Sequence, residues 1–161
     1  EGVRYGFSGA PLFLMGHSAG AHIACLLALD ERYRALAHLD VSQIRGVIGL
    51  SGVYRFRPEN SPLHSAIFAS AGPDFETVKP INYVGAHQVP LLLLHGRNDT
   101  LVGYKTAQRM FDAATAAGQK VKLHPQDGYG HVRPLFDFLP FMPNHQKTMA
   151  LLLTFMMEHR A

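Results

Sequence analysis

The sequence predicts an α/β architecture built on a short parallel sheet, and three observations carry that prediction. Short strand-like runs at Pro11–Met15, Gly46–Leu50, Pro90–His95 and Lys120–His124 alternate with longer stretches of helical pattern. The first three runs are almost wholly apolar, as strands covered on both faces are. The first run also meets the first helix at Gly16-His17-Ser18-Ala19-Gly20, a G-x-S-x-G in strand–turn–helix context. Strands alternating with helices favour a parallel sheet with right-handed crossovers.

The elements follow in order. Residues 1–9 are short and mixed, and read as a linker or helix end. Ser18 to about Leu29 is apolar with helical spacing and holds Cys25. Asp30–Ser42 is polar, with a helical turn expected near Tyr33–His38. Ser51-Gly52 ends the second strand. Val53–Val89 carries Pro58, Pro62, Pro73 and Pro80 and has no clear period, so it reads as an irregular, lid-like excursion with short helices around Ser65–Ser70 and Phe75–Val78. Val102–Ala117 is a helix that places Val102, Met110, Phe111 and Ala114 near one face, and Gly118 ends it. In the fourth strand Val121 and Leu123 alternate with polar neighbours, which suggests a half-exposed edge. Pro125–Pro143 is loop with a short helical piece at Arg133–Leu139, and Asn144–Arg160 is the last helix with Asn144 as N-cap. The order is β-α-β-excursion-β-α-β-loop-α, read as one partial domain over residues 1–161.

Composition narrows the function classes. Apolar residues make up 47% and charged residues 17% of 161, which is globular rather than disordered. The net charge of +3 is scattered, with no Lys/Arg block, so nothing points to nucleic acid or a membrane surface. No apolar run reaches the ~18 residues of a membrane span, and no signal peptide is visible. The single cysteine, Cys25, sits in an apolar helix and reads as a buried thiol. The ten histidines form no H-E-x-x-H pattern or Cys/His cluster, so no metal site and no cofactor is expected.

The chemistry gathers at strand ends. Ser18 sits on a turn where a side chain at Gly16 or Gly20 is expected to collide as strand and helix converge. The helix after it aims free N–H groups and the positive end of its dipole at negative charge forming nearby. A serine hydroxyl needs a base and an orienting acid. Asp99 follows the third strand in His95-Gly96-Arg97-Asn98-Asp99, and His131 follows the fourth in Gly128-Tyr129-Gly130-His131. Parallel sheets place their sites beyond the carboxyl ends of the strands. Asp127 lies too near His131 to act as a separate arm, and Asp112 sits in a helix. His95 is expected to shape the Asp99 loop rather than to take protons.

These residues resemble the carboxyl-terminal two thirds of an α/β-hydrolase esterase of the carboxylesterase and hormone-sensitive-lipase-like kind. The carrying stretches are Gly16–His22, Ile44–Gly52, Leu94–Asp99 and Gly130–Val132. The resemblance implies an α/β-hydrolase fold, here about four parallel strands flanked by helices, with the family's first strands missing. It implies a serine hydrolase that cleaves small carboxylic esters through an acyl-enzyme, with Ser18 as nucleophile, His131 as base and Asp99 as orienting acid. The Ala19 N–H is then an oxyanion donor, and His17, Val53, Tyr54 and Val132 are pocket walls. A small-molecule ester is the expected partner. Kynurenine-formamidase-like amide hydrolases share the pattern, and a non-catalytic hydrolase-fold binding protein or an inactive fragment are the competing readings. The family's His-Gly-Gly loop, source of a second oxyanion donor, is absent from the 161 residues. That absence leads to the expectation of a sequence shortened at its amino end.

Overall fold

The computed structural model describes residues 10–57, 60, 62–71 and 75–160. Four strands, β1 (Leu12–His17), β2 (Ile44–Leu50), β3 (Leu91–Gly96) and β4 (Val121–Gln126), form one parallel sheet in the order β1-β2-β3-β4. The helices are α1 (Ala19–Leu29), α2 (Glu31–Leu36), α3 (Pro62–Ile67), α4 (Lys105–Ala116), α5 (Arg133–Phe136) and α6 (His145–Glu158). The register aligns His17 with Leu50, Leu50 with Leu94, and Leu94 with His124. The chain therefore leaves every strand along one rim of the sheet, and the loops that follow start side by side.

The alternation of strand side chains builds two cores. Val47, Leu91 and Leu93 face a layer that includes α1 and α4, against Ala21, Ala24, Cys25, Ala28, Ala107, Met110 and Ala114. Small residues on both helices let them lie close to the sheet. On the other face Ile48, Leu50, Leu92 and Leu94 meet Leu152 and Phe155 of α6, with Phe13 joining from β1. The ring of Phe155 lies over Gly46, where an added Cβ would come within 2.8 Å of it. Cys25 is buried as expected, and burial pushes its thiol up to about 12.

Three strand expectations change. β1 is not covered on both faces: Met15 is 52% exposed, and the outer edge of β1 pairs with no strand among the described residues. Such an edge presents unpaired main-chain groups. β1 also runs on to His17, right up to the turn. β4 continues beyond His124 through Pro125, which pairs with His95. An edge strand accepts a proline because its missing N–H can face outward.

The excursion is more regular than its composition suggests. It holds α3 and 3₁₀ turns at 69–71, 76–78 and 80–83. Its far end is tied to α1 and α2. The His22 ring donates to the Val78 carbonyl (2.7 Å), and Arg32 donates to Tyr83 Oη (2.6 Å) and the Thr77 carbonyl (3.2 Å). The expected Asn144 cap also differs in detail: Asn144 stands at the N-cap position, but its side chain accepts from no helix N–H, and its amide donates to Tyr129 Oη instead. Tyr129 and Thr148 in turn donate to the fully buried Asp137. This cluster fixes the loop after β4 against α6.

Candidate active site

Ser18 occupies a conformation that few side chains adopt, with φ 55° and ψ −117°. Such strain costs about 1–3 kcal/mol and persists only where the surroundings enforce it. Here the Ser18 N–H is held by the Leu50 carbonyl (2.9 Å), while its own carbonyl accepts from Ala21 (3.1 Å) and His22 (3.2 Å). A Cβ at Gly16 would lie 2.2 Å from the Gly20 carbonyl carbon, so the strand must be bare where the helix passes. A Cβ at Gly20 would meet nothing within 4 Å, which corrects the expectation that both glycines are needed for space. Gly16→Ala is therefore expected to cost at least about 2 kcal/mol. Gly20→Ala, in a helix, should be neutral or stabilising by up to about 1 kcal/mol. Urea unfolding of the two variants checks the contrast.

Asp99 and His131 arrive from the next two loops. A Cβ at Gly96 would lie 2.2 Å from the Tyr129 carbonyl oxygen. Glycine there lets the loop after β4 cross the end of β3, where the Asn98 N–H donates to Tyr129 (3.0 Å). Asp99 is 5% exposed. Its Oδ1 accepts from the N–H groups of Leu101 (3.0 Å) and Val102 (2.8 Å). Its Oδ2 lies 2.8 Å from His131 Nδ1, and His131 Nε2 lies 2.9 Å from Ser18 Oγ. A carboxylate only accepts, so Nδ1 carries the proton in the neutral ring and Nε2 is left to accept from the hydroxyl. Burial pushes the Asp99 carboxyl up, but hydrogen bonds from His131 and from the Val102 and Leu101 N–H groups outweigh it and hold it below its usual value.

His95 is wholly buried and supports this loop. Its Nε2 donates to the Val102 carbonyl (2.7 Å) and lies 3.2 Å from Asp99 Oδ2. Burial is the largest influence on His95 and lowers its pKa; burial does the same for His22. The unfolded chain therefore takes up these protons at a higher pH than the folded one. Stability is expected to fall as pH drops from about 6.5 through the lowered folded values. Urea midpoints at pH 7.5 and 5.5 check this, with a smaller loss expected in His95→Gln.

The remaining candidates separate. Asp127 is solvent-exposed and pairs with Arg97 at 2.8 Å, and Asp112 accepts from Gln108. Val53 lines a cavity of about 560 Å³ beside Ser18 and Ala19, together with Phe56, Phe68 and Leu101. Tyr54 does not line it. Its ring is buried in the α1/α4 core against Gly49 and Gly52, while Thr106 Oγ1 accepts from its N–H. Val132 stands half-exposed at the start of α5, outside that lining. His17 is not in the lining either; its ring turns to His131, with centroids 4.8 Å apart. Sequence reasoning missed His22, Phe56, Ile67 and Phe68 as lining residues. His22 had a usable signal, one helical turn after Ser18; the others lie in the aperiodic excursion. A second cavity of about 540 Å³ shares Ala19, His22, Ile67 and Phe68 with the first. Among the described residues no His/Cys/Asp/Glu group could hold a metal ion, and no helix is long and apolar enough to cross a membrane.

A strained serine at a strand–helix turn, with acid and histidine from later strand ends, defines the α/β-hydrolase class. Solved structures agree on the fold. The propionate-bound thermophilic esterase Est2 of Thermogutta terrifontis superposes with a TM-score of 0.72 at 23% identity, over 91% of this chain and 55% of that one. The same esterase phosphoramylated by tabun gives 0.67 at 24% identity, over 91% and 54%. The chain belongs to the BD-FAE family, whose model matches residues 2–113. Among curated proteins it is similar to the isoprenylcysteine alpha-carbonyl methylesterase ICME of Arabidopsis thaliana, 31% identical over 147 residues. It is also similar to the probable carboxylic ester hydrolase LipM of Mycobacterium tuberculosis, 25% identical over 123 residues. These matches cover 78% and 66% of this chain but 34% and 28% of the relatives, so the chain spans about a third of their length.

Proposed function

We propose that this protein hydrolyses small carboxylic esters through an acyl-enzyme on Ser18. The observation that carries the reading is the hydrogen-bonded chain from Asp99 through His131 to Ser18, at 2.8 and 2.9 Å. Ser18 Oγ attacks the ester carbonyl while His131 Nε2 takes its proton, then returns it to the departing alkoxide. Water repeats the sequence on the acyl group and frees Ser18. Asp99 keeps the proton of the neutral ring on Nδ1 and stabilises the imidazolium. The N–H of Ala19, in the first turn of α1, donates to no main-chain acceptor among the described residues and is the oxyanion donor.

The described residues act as one domain, and the described part of the 53–89 excursion walls the site. Its Val53, Phe56, Ile67 and Phe68 make the cavity largely apolar, which suits an ester with an apolar arm. The names of the curated relatives, a methylesterase and a carboxylic ester hydrolase, support an ester over an amide as substrate. The test is to quench the protein in acid during turnover of p-nitrophenyl butyrate and map the acyl group by mass spectrometry. A butyryl group on the Ser18 peptide is expected. Absence of turnover, or acylation elsewhere only, rejects the reading.

A further inference from the structure

We propose that His17, the residue before the nucleophile, is a positioning residue for the base: it carries the main chain of His131 and so sets where His131 Nε2 meets Ser18. The proposal rests on the ester-hydrolase reading above. His17 ends β1, and its own backbone is held in register opposite Leu50. A carbonyl only accepts, so His17 Nε2–H donates to the His131 carbonyl, at 2.8 Å. The two rings also pack, with planes inclined at 51°.

The neighbouring chain shows why this bond matters. Before His131, Tyr129 is anchored by Asn98 and by the buried Asp137. After it, the Val132 carbonyl accepts from Leu135 at the start of α5. Between these anchors stand Gly130 and His131. Among the described residues, no hydrogen bond other than the one from His17 reaches the His131 main chain. One side chain thus couples base to nucleophile through the chain itself, since His17 and Ser18 are consecutive. A displacement of ~1 Å in a reacting group can cost on the order of 100-fold in rate.

The test compares His17→Leu, which keeps bulk but has no donor, with His17→Gln, whose amide N–H can take the place of Nε2–H. For p-nitrophenyl acetate, His17→Leu is expected to lower kcat by ~10- to 100-fold with KM within ~3-fold, the pattern of lost transition-state geometry. His17→Gln should recover most of that loss. The far-downfield proton resonance of the His131–Asp99 hydrogen bond should be sharp in the parent and in His17→Gln, and broadened or absent in His17→Leu at unchanged melting temperature. If His17→Leu does not fold, His17→Asn takes its place, because its amide is too short to reach. Parental kcat in His17→Leu, or equal losses in the donor-bearing and donor-less variants, overturns the proposal. Ser18→Ala run alongside keeps the two failures apart: an active Ser18→Ala sinks the ester-hydrolase reading, whereas an inert Ser18→Ala beside a fully active His17→Leu sinks only the role of His17.

Discussion

Ser18→Ala is expected to lower kcat/KM for p-nitrophenyl esters by ~10⁴-fold or more, because in the proposed mechanism Oγ forms the acyl bond and no neighbouring group replaces it. The substitution removes one oxygen and leaves Cβ in place. The φ of 55° is therefore as strained for alanine as for serine, and the bonds that hold the turn come from main-chain groups. Stability should stay within about 1 kcal/mol of the parent. Steady-state kinetics and a thermal melt on the same sample separate lost chemistry from lost fold. A variant that melts like the parent and still hydrolyses the ester would remove Ser18 from the mechanism.

Asp99→Asn is expected to lower kcat by ~10³- to 10⁴-fold at neutral pH while leaving the site in place. The amide oxygen can still accept from Leu101 and Val102 as Oδ1 does now. The amide nitrogen then faces His131 Nδ1, where a carboxylate oxygen stands at 2.8 Å. Being a donor, it favours the tautomer with the proton on Nε2, which can no longer accept from Ser18. The loss should be largely in kcat, since the cavity walls are untouched. A fall of less than tenfold would mean that Asp99 builds its loop without orienting the base. The solvent-exposed Asp127, engaged with Arg97, offers no substitute.

Much of this arrangement was legible in the sequence because it depends on order and local spacing. Gly16 and Ser18 stand in a five-residue strand–turn–helix pattern that can be read locally, although the Leu50 carbonyl of β2 also holds the turn. Asp99 and His131 were identifiable as candidates because each follows a strand pattern, apolar before Asp99 and alternating before His131, and parallel strands deliver such residues to one rim. Directions of side chains across the fold were less accessible. Nothing near Tyr54 reveals that bare Gly49 and Gly52 open a slot for its ring in the core. The ring of His17 could have faced the cavity, and only the loop between Gly128 and Val132 decides that it meets a carbonyl instead. The exposure of Met15 was hidden for a related reason: an apolar run shows that a strand can be buried, not that another element covers it. Pro125 misled in the opposite sense, since a ladder-breaking residue reads as a strand end unless the strand is known to lie at an edge.

The account stands or falls on whether His131 activates Ser18. The direct measurement is the second-order rate at which a fluorophosphonate modifies Ser18, followed by peptide mass spectrometry, in the parent protein and in His131→Ala. The expected result is modification at Ser18 in the parent, with the rate reduced at least ~100-fold in His131→Ala. Equal rates in the two proteins, or modification at another residue, would contradict it.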